Sequence, residues 1–270
     1  LKIEATFLAT TLVLLPQVAF SLEQNQRVKP IPSRAIPDYQ LGGSYEPPVG
    51  VTVVARDSTA MPAEGLYNIC YVNGFQTQPD SQWPKELLVI GKDGKAFADP
   101  GWPDEYLLNI SSAAISEQIA KRLATSIAHC AEAGFDAVEF DNLDSFSRSK
   151  GALTQEDAVA FARLLVEIAH SNGLAAGQKN TPQLSHDERR TIGFNFAVAE
   201  ECHRFDECSE YTRFYGDQVI NIEYTDDLRG KFSAVCRDKN TPKATILRDR
   251  MLKAPGQKGY YYAHCPAASR

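Results

Sequence analysis

Short apolar runs that alternate with amphipathic helices constrain this chain more than any other feature. Eight runs read as strands, over residues 38–41, 51–55, 66–72, 135–141, 174–179, 194–199, 219–224 and 244–247. Most are apolar on both faces, the pattern of strands covered on both sides in a parallel sheet. The intervening helices are clearest in the middle. Residues 112–133 carry Ile115, Ile119, Leu123 and Ile127 at four-residue spacing, which gathers them on one face. Thr154 can cap a second helix with the inner stripe Ala158, Phe161, Ala162, Leu165, Val166 and Ala169, and Gly173 can end it. Alternation of this kind implies an α/β fold with a parallel sheet, and eight strands favour a closed (β/α)8 TIM-type barrel over an open one. The first half is loop-rich. Residues 44–50 and 73–103 hold Pro47, Pro48, Pro79, Pro84, Pro100 and Pro103, and loops this long are expected to wall a cleft.

The chain opens with an apolar stretch over residues 5–20, preceded by Lys2 and followed by a small-x-small site at Ala19-Phe20-Ser21. Residues 1–21 are therefore expected to be a secretory signal peptide; the alternative is an apolar helix of the folded domain. Thr10, Thr11, Pro16 and Gln17 interrupt the stretch, so no membrane span is expected. Pro30, Pro32 and Pro37 mark 22–37 as a linker, leaving 38–270 as one barrel domain. The cysteines Cys70, Cys130, Cys202, Cys208, Cys236 and Cys265 lack metal-site spacing and suit disulfides in an extracellular protein. Cys202 with Cys208 would close a small loop and Cys236 with Cys265 would tie down the C-terminus, but sequence does not choose among the pairings. A glycosylation sequon lies at Asn109.

A net charge of −6 with no basic stripe argues against a nucleic-acid partner. Five histidines form no HxH or HExxH pair, and no GxSxG, GxGxxG or P-loop is present. No cofactor and no metal are expected, the weak exception being a divalent ion on Asp141 and Asp144. The chain is expected to act as a monomer.

Chemistry concentrates in acids at strand ends. In Gly134-Phe-Asp-Ala-Val-Glu-Phe-Asp-Asn-Leu-Asp144, alternation places Phe135, Ala137, Glu139 and Asp141 on one face. Acids on a buried strand are costly unless partnered, and active sites are where that cost is accepted. Further acids end other strands: Glu200 or Glu201, whose side chains should point apart; Glu223 beside Tyr224; and Asp38 in the first strand. Carboxylates at the C-terminal ends of barrel strands converge on one face. Two of them flanking a sugar linkage are the core machinery of a glycosidase. Lys179 is expected to neutralise Glu139 and keep Asp141 ionised. Tyr71, Asn73, Asn142, Asn180 and Tyr224 are candidate sugar-binding groups.

The motifs Asp38-Tyr-Gln-Leu41, Cys70-Tyr-Val72, Glu139-Phe-Asp-Asn-Leu-Asp144, Lys179-Asn180, Phe196-Ala-Val-Ala-Glu-Glu-Cys202 and Glu223-Tyr224 resemble, in order, those of glycoside hydrolase family 114. The similarity runs from Asp38 to Tyr224 and more loosely beyond. The family comprises secreted barrel enzymes described as endo-α-1,4-polygalactosaminidases. The resemblance implies that Asp141 is the nucleophile and Glu200 the general acid/base of a retaining reaction. It also implies a partly deacetylated, cationic galactosamine polymer as substrate, met by Asp38, Gln40, Tyr71, Glu139, Asn142, Asp144, Lys179, Asn180, Glu223 and Tyr224. One position departs: the family's Asn-Glu-Gln-Cys reads Ala199-Glu200-Glu201-Cys202, adding the acid Glu201. By strand alternation that side chain should point away from the site. Two other functions fit the same acidic cleft: a non-catalytic carbohydrate-binding barrel of a cell surface or wall, and a hydrolase of another α-glycan.

Overall fold

The computed structural model describes residues 28–266; the expected signal peptide lies outside the described residues. Nine strands form one sheet in sequence order: β1 (Pro37–Tyr39), β2 (Val53–Asp57), β3 (Tyr67–Asn73), β4 (Ala137–Asp141), β5 (Ala175–Lys179), β6 (Phe196–Glu200), β7 (Val219–Tyr224), β8 (Ala244–Arg248) and β9 (Tyr262–His264). Neighbours β1 to β8 pair in parallel, and β9 joins β8 antiparallel. The sheet curls into a nearly closed barrel. All eight expected strands are present; β9 was not foreseen, because three half-buried residues leave no run to recognise.

Helices back only part of the barrel. They are α1 (Ala113–Ala133), α2 (Ser145–Arg148), α3 (Gln155–Ser171), α4 (His186–Ile192), α5 (Cys208–Tyr215) and α6 (Phe232–Val235). No helix follows β1 or β2, and the long loop after β3 holds only a 3-10 turn at Lys85–Leu87 before α1. The Thr154 side chain accepts from the Asp157 backbone while the Thr154 backbone donates to the Asp157 carboxylate, so α3 starts where the sequence placed it.

Strand alternation divides the apolar residues into two layers. Ile69, Ala137, Ala175, Phe196, Val198, Ile220, Ile222 and Ile246 fill the barrel interior. Val72, Val138, Phe140, Ala176, Ala197 and Ala199 point outward against Ile119, Leu123 and Ile127 of α1 and the predicted stripe of α3. Phe135, just ahead of β4, belongs to this outer layer rather than to the face of Ala137 and Glu139. Interior filling explains one glycine. A Cβ on Gly177 would lie 2.5 Å from the ring of Phe196, its register partner on β6, so the small residue on β5 makes room for the large one opposite.

Three disulfides join Cys70 to Cys130, Cys202 to Cys208 and Cys236 to Cys265. The first pins β3 to α1. From residue 28 on, the segment expected as a linker packs beneath the barrel instead. Ile31 is buried and exchanges backbone bonds with the Gln218 side chain, Tyr67 donates to Lys29 O, and Lys29 pairs with Asp136 at 2.7 Å.

The ring lacks a backbone ladder between β8 and β1. Arg248, fully buried, spans that seam: its guanidinium donates to Asp38 Oδ1 at 2.9 Å and to the carbonyls of Tyr39, Lys253 and Tyr261. Tyr262 on β9 also reaches across, donating to Pro37 O at 3.0 Å.

Candidate active site

The strand ends open into a cleft of about 640 Å³, lined by residues that include Tyr71, Asp141, Asn142, Asp144, Lys179, Asn180, Glu200 and Tyr224. Its centre is a buried ammonium shared by two carboxylates. Lys179 Nζ lies 3.2 Å from Asp141 Oδ1 and 3.1 Å from Glu200 Oε2. It also sits over the rings of Tyr39 and Tyr71. The strands explain the convergence. Asp141 and Lys179 end β4 and β5 on inward positions, and Glu200 ends β6 two residues beyond the inward Val198.

Every oxygen of the pair is held. Tyr71 donates to Asp141 Oδ2 at 2.7 Å and the Asn142 backbone to Oδ1 at 2.7 Å. The Asn180 side chain donates to Glu200 Oε2 at 3.0 Å and Tyr224 donates to Oε1. Asn142 and Asn180 adopt left-handed backbone conformations immediately after their strands, which asparagine tolerates better than most residues. That turn lets each serve the carboxylate beside it.

Electrostatics follow from this arrangement. Burial would depress Lys179, but Asp141, Glu200 and Glu139 outweigh it and hold the ammonium above its usual range. Burial pushes Glu200 up; the charge of Lys179 and the bonds from Tyr224, Asn180 and Lys179 outweigh this and hold it below the usual carboxylate range. Burial first, and then the adjacent carboxylates, keep Tyr71 and Tyr224 protonated far above neutrality, so both remain donors.

Four expected substrate contacts lie elsewhere. Asp38 and Gln40 are buried at the seam, Asp38 on Arg248 and Gln40 on Arg56, with Gln40 also donating to Asp38. Glu223 alternates with the inward Tyr224, so it faces the outer layer, where it accepts from Asn221 and the His203 backbone. Glu139 does point inward, but one layer beneath the cleft floor and with no exposed surface. It accepts from Tyr39 rather than ion-pairing with Lys179, which reaches upward to the pair above. Burial, only partly offset by Lys179 and the Tyr39 bond, pushes Glu139 up to about 7. Asp144 lines the cleft but pairs with Arg148 at 2.8 Å, so Asp141 and Asp144 answer to different cations rather than facing a common metal.

Glu201 also departs from expectation. It has a positive φ of 60°, which ends the strand's alternation and turns its carboxylate toward the cleft. There Arg250 grips both oxygens, at 2.9 and 3.1 Å, while also binding Asp226 and covering the ring of Tyr224. Other lining residues went unremarked in the sequence: Asp99, Trp102, Glu105, Arg148 and Arg250. Asp99, Trp102 and Glu105 come from the long loop after β3, and a tryptophan between Gly101 and Pro103 is the signal that could have singled it out.

Similarity to known proteins accords with this architecture. Aspergillus fumigatus Ega3, solved in complex with galactosamine, is 21% identical with a TM-score of 0.70, over 88% of this chain and 98% of its own. The glycoside hydrolase domain of PelA from Pseudomonas aeruginosa is 13% identical with a TM-score of 0.53, over 82% of this chain and 97% of its own. Likenesses this distant establish the barrel fold. Among curated proteins no sequence matches. The model of Glycoside-hydrolase family GH114, however, matches residues 19–270, so the chain belongs to that family and is a glycoside hydrolase.

Proposed function

We propose that the protein cleaves α-1,4-linked, partly deacetylated galactosamine polymer within the chain, with retention of anomeric configuration, using Asp141 as nucleophile and Glu200 as acid/base. The observation that carries this reading is the shared ammonium. Two carboxylates within 3.2 and 3.1 Å of one nitrogen have nearest oxygens no farther apart than the sum of those distances. That limit accommodates the roughly 5–5.5 Å carboxyl separation of a retaining pair. Asp141, beside Lys179 and oriented by Tyr71, attacks the anomeric carbon. Glu200 gives its proton to the departing oxygen and then activates water against the glycosyl ester. In the free enzyme Glu200 is held low. Docked polymer seals its exposed part, adding to the burial that favours the protonated form.

The substrate class is supported by family membership and by the galactosamine bound to Ega3. Three disulfides support an extracellular site of action, and no described helix is long and apolar enough to cross a membrane. The test is oligomer release from deacetylated α-1,4-galactosamine polymer. Wild type is expected to release oligomers, whereas Asp141→Asn and Glu200→Gln, folded to the same melting temperature, lose at least about a thousandfold. Azide should rescue Glu200→Ala to a glycosyl azide of retained configuration; an azide of inverted configuration would exchange the two roles. A folded wild type that releases no product from this polymer would overturn the substrate.

A further inference from the structure

Most acids lining the cleft are held by a cation. Asp141 and Glu200 share Lys179, Asp99 and Asp144 share Arg148, and Glu201 has Arg250. Glu105 is the exception: among the described residues no Lys, Arg or His pairs with it. Its sole side-chain bond is from Asn73, at 3.0 Å to Oε2. Asn73 in turn accepts from Asn142, the residue after Asp141, so the carboxylate is oriented by the nucleophile's own strand end. It is half-buried, and burial, Asp141 and Asp99 together outweigh the Asn73 bond and the more distant charge of Arg148, so its pKa is raised. A carboxylate braced beside another carboxylate, without a cation of its own, is unfavourable until a cation arrives from outside.

Resting on the substrate class given above, we propose that Glu105 is the residue that binds the ammonium at C2 of the sugar attacked by Asp141. In a 2-amino sugar the nitrogen is attached to the carbon next to the anomeric centre, so it must come to rest close to the nucleophile. The fit extends to the chemistry. Bond cleavage builds positive charge at C1, one carbon from the ammonium, and a fixed carboxylate beside C2 offsets the repulsion between them. Trp102, 63% exposed within the same cleft and joined to Glu105 by a turn whose backbone bond is 2.9 Å, offers an apolar plate for the carbon face of a ring. The loop thus presents both surfaces that a hexosamine requires.

The experiment compares initial rates on deacetylated and N-acetylated α-1,4-galactosamine oligomers of matched length. Wild type should prefer the deacetylated oligomer, and the preference should weaken as salt is raised. Glu105→Gln should lower kcat/KM on that oligomer by about ten- to a hundredfold, with part of the loss in kcat, and bring the two substrates closer together. A Glu105→Gln enzyme with undiminished preference would overturn this inference and leave the proposed function standing. A wild type that cleaves neither oligomer would overturn both. Should the glutamine variant fail to fold, Glu105→Asp decides: preference kept with the charge supports the inference, and preference lost despite the charge overturns it.

Discussion

Two buried cations, Lys179 at the cleft and Arg248 at the β8–β1 seam, divide the molecule into a reactive and a structural region. Arg248 faces Asp38 at 2.9 Å, Asp249 more distantly at 3.8 Å, and three backbone carbonyls positioned to accept. Lys179 must serve two carboxylates at once, with a third, Glu139, beneath them. One cation is satisfied and the other is oversubscribed. The difference shows how a barrel can use the same type of charge for opposite ends. Where the acceptors are mostly neutral carbonyls around one close acid, the charge closes the ring. Where acids outnumber the cation, negative charge is left over for chemistry and for a cationic ligand.

The contrast can be broken most sharply at Arg248. Arg248→Met takes the paired cation from the fully buried Asp38, leaving it only the bonds from Gln40 and Tyr45, and opens the seam. A loss of about 3–5 kcal/mol is expected, read as a fall in melting temperature on the order of 10 °C. An unchanged melting temperature would mean that β9 closes the barrel alone. Lys179→Met should act in the other direction, lowering turnover about 10²–10³-fold with a smaller thermal loss. Asp141 and Glu200 are 19% and 28% exposed, so solvent screens part of the repulsion left between them. If Lys179→Met proves the less stable of the two variants, the division of labour fails.

A third effect belongs to Glu139, the layer between. Its pKa is raised from 4.5 to about 7 by burial, so the folded state binds a proton that the unfolded state has released. The resulting cost is absent below about pH 4.5, grows through the interval and is complete above about pH 7, reaching the order of 3 kcal/mol. Wild type should therefore lose stability as pH rises through that window, and Glu139→Gln should flatten the dependence in a melting-temperature series. The smallest change is expected at Glu201. Glu201→Gln removes the partner of Arg250, whose guanidinium is 43% exposed and keeps Asp226, so stability should move by less than about 1 kcal/mol.

Much of the fold was legible because it depends on periodicity. The inner stripe of α3 and the eight parallel strands follow from residues only a few positions apart, and local spacing is what a sequence displays. The cleft was legible in part for the same reason. Asp141, Lys179, Glu200 and Tyr224 end strands on one face, and strand ends in a barrel meet. The acids at Asp38 and Glu223 looked equivalent, yet they alternate with Tyr39 and Tyr224, whose side chains took the interior. Glu201 defied alternation because one left-handed residue at the end of β6 reverses the parity that the strand had established.

The amino-acid sequence by itself determined the order of elements, the two-layered packing and the acidic character of one end of the barrel. These are properties of near neighbours and of a periodic backbone. Only the tertiary structure decided which acid received which cation: Lys179 for Asp141 and Glu200, Arg148 for Asp99 and Asp144, Arg250 for Glu201, Arg248 for Asp38, and, among the described residues, none for Glu105. Pairing depends on distances of a few ångströms between residues far apart in the chain, and those distances exist only once the barrel has closed.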